Sequence, residues 1–403
     1  MADKQTERRA KLLARFEAQA RFCKASSPLY HHLFASLGRR LLDDDEFAAW
    51  LLHASSQRAS FDVPLLLLAG LHLSVLRYDP KVSKLAAYYP SVGGAKNAHA
   101  AAFAGVLADA IDALREELAH FIASSPVQTN EGARGLCWLL PLAYTGWPQV
   151  HLVELGASAG LNLVAEQRRY CLVQAGKANA DIADTPDTGD SAEHTYRFGQ
   201  GREEAFFVQG QGSFAAPAAP ASSLRILSRR GCDLSPISLQ SEQERTRLAA
   251  FVWADQTARM AMLNSGMELV AKVNSTEAPV ELPACTLPEE LPGFLHNLPA
   301  LRAPSVLYNT YLTAYLPDKG RSLHAEIDHW ARQEAQPLLW LQWEHLRSQE
   351  SSPPEFGWLA WTADLWRDSQ HQHWHLAWVH PHGNRVSWLP GLQAWHEFCA
   401  KNL

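Results

Sequence analysis

The chain has 403 residues, 47% of them apolar and 19% charged, with a formal net charge of −6. That length buries a large core and divides naturally into two domains. The acidic balance excludes electrostatic capture by nucleic acid or an anionic membrane, and the pairs Arg168-Arg169 and Arg229-Arg230 are too small to reverse it.

Six scattered cysteines with no C-x-x-C pair predict reduced, buried thiols in a cytoplasmic protein. The N-terminus, MADKQTERRAKLLARF, mixes both charge signs and has no apolar signal core. Residues 1–147 then read as helices that cap the substrate side of the following domain. Glu7–Cys23 is amphipathic, with Leu12, Leu13, Phe16, Ala20 and Phe22 on its apolar side. Ser27-Pro28 breaks the chain before a helix over 31–42, and Asp44 or Asp45 caps the next. The longest apolar run, 63–76, is too short to span a bilayer and carries Pro64, Gly70 and His72, so it predicts a buried helix. YYPSVGG, 88–94, is a rigid turn with two adjacent aromatics. QTNEGAR, 128–134, precedes the apolar helix 136–144. It is either an N-cap through Thr129 or Asn130, or a loop that touches a ligand.

The chain is organised around PQVHLVELGASAGLNLVAEQRRY, 148–170. An apolar run suited to a buried strand ends on Glu154, a turn of very small residues follows, and a helical pattern begins at Leu161. Glycines let backbone approach a ligand closely. The spacing Glu154-x-Gly156-x-x-x-Gly160 is neither a pyrophosphate-binding G-x-G-x-x-G nor a P-loop. A carboxylate at that point repels pyrophosphate and attracts a cation such as S-adenosylmethionine, with its ammonium and sulfonium. These residues resemble the first motif of class I methyltransferases. Two other readings stay open. The glycines could simply close a strand–helix corner. Gly156-Ala-Ser158-Ala-Gly160 is also a literal G-x-S-x-G, the nucleophile elbow of a serine hydrolase, with Asp318, His345, His380 and His382 downstream.

From 171 to about 223 the chain is polar and irregular, as in an insertion. A strand over 224–228 then leads to Asp233. Its carboxylate is placed for ribose hydroxyls, or for an Asx turn in Asp-Leu-Ser-Pro. Ser241 and Glu244 form a capping box, and further strands are expected near 280–282, 304–308 and 336–343. HWHLAWVHPHGNRVSWL, 373–389, predicts two strands around a turn. Asn309, Tyr311, Tyr315 and Glu344, just after strands four and five, would border the same cleft as Glu154. Glu344 or Tyr311 could take a proton from an acceptor. His371, His373, His375, His380 and His382 invite a metal, but no acid or cysteine stands at zinc-like spacing, so none is assigned. The tryptophans crowded between Trp330 and Trp395 predict core packing.

The succession YYPSVGG, QTNEGAR, VELGASAGLNL, RRGCDLSPI, FVWADQ, the strand leading to YLP, and HPHGN resembles a bacterial domain-of-unknown-function family whose core looks like a class I methyltransferase. The resemblance covers roughly residues 10–395. It implies an α/β, Rossmann-like, mostly parallel twisted sheet over 148–403, a helical region over 1–147 and an antiparallel C-terminal hairpin. It implies S-adenosylmethionine held by Glu154, Gly156 and Gly160 with Asp233 on the ribose, and Ser158, Asn162 and Asn309 are further expected cofactor contacts. A small-molecule substrate would meet Tyr89, Gln128, Asn130, Glu131, Arg134 and Tyr315, with Glu344 and Tyr311 catalytic. Two departures stand out. The interval from Gly160 to Asp233 exceeds one crossover helix, and Pro283-Ala284-Cys285 stands where an adenine-binding acid often follows strand three. The expected function is small-molecule methylation. The alternatives are a non-catalytic nucleoside-binding or scaffold protein, and a hydrolase using Ser158.

Overall fold

The computed structural model describes all residues except 1, 129–130, 175–193, 202–204, 218–223, 299–301, 346–350 and 403. The chain divides into two compact units, residues 1–130 with 238–265, and residues 131–237 with 266–403. Glu131 and Arg134 of QTNEGAR therefore belong with the second unit. FVWADQ returns to the first, which the linear reading does not anticipate.

The first unit is helical. In the helix Ala2–Cys23 the buried stripe is Leu12, Phe16, Ala20 and Cys23, whereas Phe22 is exposed. Steps of four, four and three hold one face of a 3.6-residue helix, and Phe22 falls about 100° off it. Val63–Leu76 is buried along nearly its whole length, as expected for an apolar run without a polar face. Asp44 caps the helix Asp45–Ala54 by accepting from Phe47 N, and Ser241 caps Glu242–Ala249 through Glu244 N. FVWADQ has a packing role here. Asp255 accepts from Ser27 Oγ (2.6 Å) and Leu29 N (3.0 Å) at the start of the helix Pro28–Asp43, and Trp253 stacks on Tyr30. Among the described residues, no helix is long and apolar enough to cross a membrane.

The second unit is α/β with a mostly parallel mixed sheet. Its described strands are β1 (Gln149–Leu155), β2 (Arg169–Gln174), β3 (His194–Phe198), β4 (Ala205–Gln211), β5 (Arg225–Cys232) and β6 (Val280–Glu281). They continue with β7 (Ser305–Thr310), β8 (Leu338–Glu344), β9 (Leu359–Arg367), β10 (Gln370–Val379) and β11 (Arg385–Trp388). The order is β3-β2-β4-β11-β10-β9-β8-β7-β1-β5-β6. The run β6-β5-β1-β7-β8 is parallel throughout. It reverses its direction of growth at β1, the kind of switch point beside which open α/β sheets bind ligands. Strands β8 to β11 form an antiparallel meander whose last hairpin turns at HPHGN, as predicted.

Three features differ from the sequence expectations. The segment after Gly160 is a 3-10 run, Leu161–Gln167, broken at Val164, and not an α-helix. Two of its carbonyls are drawn outward: Asn162 O accepts from Trp138 Nε1 and Leu163 O from Arg229 Nη1. Glu166 is pulled onto the sheet by the buried Arg229 at 2.5 Å. An α-helix would keep those carbonyls for its own ladder. Second, the described part of the expected irregular insertion holds β2, β3 and β4. Strand β4 pairs with β11, more than a hundred residues on, a partner that no local pattern could announce. Third, β9 is buried on both faces over Leu359–Trp366, so it lacks the alternation that marks a strand.

Candidate functional site at the carboxyl ends of the parallel strands

Parallel register brings four strand ends together. Glu154 on β1 lies opposite Tyr308 on β7 and Gly231 on β5, so the three share one face. Glu154 is 3% exposed, and its Oε2 accepts no hydrogen bond of ordinary geometry. Burial pushes its carboxyl up to about 8, while the adjacent Tyr308 hydroxyl, Asn162 side chain and more distant Arg134 partly oppose that shift. A carboxyl in this state is mostly protonated at neutral pH and ionises when a cation arrives.

The glycine loop is tied to the end of β5. Gly156 N and Ala157 N donate to Cys232 O at 2.8 and 3.0 Å, and Ser158 N donates to Asp233 Oδ2 at 2.9 Å. Gly160 N donates to Ala157 O at 2.7 Å. With these four N–H groups engaged internally, the loop is a poor cradle for phosphate. Asp233 Oδ1 accepts from Ser235 N, so the Asx turn forms as well. Gly156 and Gly160 have φ of +76° and +72°, and a Cβ at Gly160 would come within 2.7 Å of Val280 Cγ1. Ser158 also has a left-handed φ of +51°, unusual for a serine. Gly160→Ala is expected to lower stability by about 1–2 kcal/mol from its backbone conformation alone, which denaturant unfolding would measure.

Strands β7 and β8 contribute a second cluster. Asn309 is fully buried, accepting from Trp340 Nε1 (2.7 Å) and donating to Glu344 Oε1 (2.8 Å). Glu344 takes three more hydrogen bonds, from Leu312 N (2.6 Å), Thr313 N (3.1 Å) and Thr313 Oγ1 (2.7 Å). Both carboxylate oxygens thus brace the loop after β7. That loop holds Tyr311 at φ +59°, a strained conformation for a bulky residue. The Tyr311 ring lies edge-on to Tyr315 and His345, with the Arg134 guanidinium 5.4 Å from its centroid.

Arg134 is 5% exposed, and its Nε donates to Pro381 O in the β10–β11 turn. Glu131 Oε2 meets His382 Nδ1 of the same turn at 3.2 Å. Residues 131–134 and HPHGN, far apart in sequence, therefore meet beside the strand ends. Asp318 instead caps the helix Arg321–Ala331. His371 and His373 share Asp364 Oδ1 across the β9–β10 pair, an acidic partner on the next strand that local spacing could not reveal. Among the described residues, no three His, Cys, Asp or Glu side chains are grouped to hold a metal.

Of the residues predicted for ligand contact, Glu154, Gly156, Ser158, Gly160, Asn162 and Asp233 lie around the β1 and β5 ends, and Asn309, Tyr311, Tyr315 and Glu344 around β7 and β8. Glu131 and Arg134 flank the second group. Tyr89 and Gln128 belong to the helical unit, where Tyr89 is fully buried against His72. Asn130 lies outside the described residues. Sequence reading missed Tyr308, which faces Glu154 only through parallel register, and the packing of His345 against Tyr311.

The family described as "Uncharacterized protein conserved in bacteria (DUF2332)" matches residues 13–388. No curated protein and no solved structure matches the chain.

Proposed function

Because the chain belongs to this family of uncharacterized bacterial proteins, we propose its function from the site alone: it binds S-adenosylmethionine at the β1 switch point and passes the methyl group to a small-molecule acceptor. The buried Glu154 carboxyl, whose Oε2 accepts no hydrogen bond of ordinary geometry, carries this reading. A group so costly to ionise in isolation is well suited to a cationic ligand that supplies the missing charge and donor. The engaged N–H groups of the loop argue in the same direction, against a phosphate ligand.

In this reading Glu154 receives the ligand ammonium and Asp233 a ribose hydroxyl through its remaining lone pairs. Gly156 and Gly160 keep side chains out of the ligand's path. Tyr311, Tyr315 and His345 form an aromatic wall for the acceptor. In-line transfer forms the bond from acceptor to methyl carbon as the carbon–sulfur bond breaks, leaving neutral S-adenosylhomocysteine, and depends chiefly on positioning. Glu344 and Asn309 serve as braces of the Tyr311 loop, because four donors already occupy the carboxylate. Tyr311 remains the group placed to take an acceptor proton.

Equilibrium dialysis of S-adenosylmethionine and S-adenosylhomocysteine against wild type and Ser158→Ala tests the reading. Micromolar binding of both, retained in the variant, is expected. No binding at millimolar ligand would sink it.

A further inference from the structure

Arg134 is the unusual group in this site. It is buried, yet its only described hydrogen bond is from Nε to Pro381 O, and none of the described ion pairs includes it. The nearby carboxyls do not fill its fork: Glu131 is met by His382, Glu344 by its four donors, and Glu154 is kept mostly protonated by burial. Burial disfavours the Arg134 charge, offset by Glu131 and Glu344 and by the Tyr311 and Tyr315 side chains. A guanidinium does not deprotonate to escape such a position. Burying one without an acceptor for its fork is costly unless an anion completes it.

We infer that the ligand of this site carries a carboxylate, received two-pronged by the terminal nitrogens of Arg134 beside the ring of Tyr311. Carboxylate fits better than phosphate. With Glu131 and Glu344 already drawing on its charge, one guanidinium has room for at most a single negative charge, and its planar fork matches two oxygens in a plane. The Tyr311 face, already against the guanidinium, continues through Tyr315 and His345 as an aromatic wall for the body of the molecule.

The presence of a carboxylate follows from this geometry, whereas its owner rests on the methyltransferase reading. Within that reading it is either the methionine end of the cofactor or the methyl acceptor.

The test titrates S-adenosylhomocysteine, 5′-methylthioadenosine, benzoate and acetate into wild type, Arg134→Gln and Arg134→Lys, with thermal unfolding to confirm folding. Should the glutamine variant unfold, the lysine variant carries the test, since it keeps the charge and loses the fork. At least one carboxylate ligand is expected to weaken about ten- to hundredfold in the variants, while methylthioadenosine, which has no carboxylate, is unchanged. Selective weakening of S-adenosylhomocysteine assigns the carboxylate to the cofactor. Weakening of benzoate alone assigns it to the acceptor. Benzoate that binds through Arg134 when neither nucleoside binds at all keeps this inference and removes the methyltransferase reading. If no carboxylate binds wild type, or if folded variants bind them all as wild type does, the inference is overturned.

Discussion

Replacing Glu344 by alanine is expected to lower the unfolding free energy by about 3–5 kcal/mol. The side chain is buried and accepts from Asn309 Nδ2, Leu312 N, Thr313 N and Thr313 Oγ1. Truncation leaves those donors facing a cavity, and each buried donor without a partner is costly. The loss also frees the strained Tyr311, whose φ of +59° persists because the neighbouring residues are held. In a unit of this size the melting temperature should fall by on the order of 10 °C. Glu344→Gln keeps the shape and part of the hydrogen bonding, so it should fall between. Calorimetric unfolding of the three proteins decides the role. A proton acceptor would give the opposite pattern, with stability nearly unchanged in the alanine variant and turnover lost.

Glu154→Gln is expected to weaken S-adenosylhomocysteine binding about ten- to hundredfold while making the free protein more stable at alkaline pH. The sign follows from burial. The folded carboxyl titrates near 8, above its ordinary value of 4.5, so the folded state binds the extra proton. Stability from this group is therefore full below about pH 4.5 and declines as pH rises through 8. Glutamine has no such loss, so the difference in melting temperature, variant minus wild type, should grow between pH 5 and 8 and then level off. Its ceiling is on the order of a few kcal/mol. A difference independent of pH would mean that Glu154 is not buried as a neutral acid.

The helical unit was legible because its signals are local. The 63–76 run and the Asp44 and Ser241 caps are each written within a few residues. Strands β1, β7 and β8 were also readable, since each is a short apolar stretch with an acid or amide near its end, whereas β5 was legible only to 228 because Arg229 and Arg230 lie within the strand. What failed to show depends on distant partners. Strand β4 needs β11, β9 is hidden by burial on both faces, and the expected helix after Gly160 yields to Trp138 and Arg229 reaching for its carbonyls. The site divides in the same way. Glu154 and the glycines announce themselves, but the Glu344 brace and the union of Arg134 with the HPHGN turn are products of register and topology.

The central claim is that Glu154 meets the ligand ammonium, and counting protons tests it most directly. Calorimetry of S-adenosylhomocysteine binding at pH 7, in two buffers of different protonation enthalpy, gives the number released. A carboxyl that titrates near 8 when free and ionises on contact should release about one proton in wild type. The Glu154→Gln variant should release almost none. Tight binding with no proton released by wild type, or with the same number from both proteins, would contradict the claim.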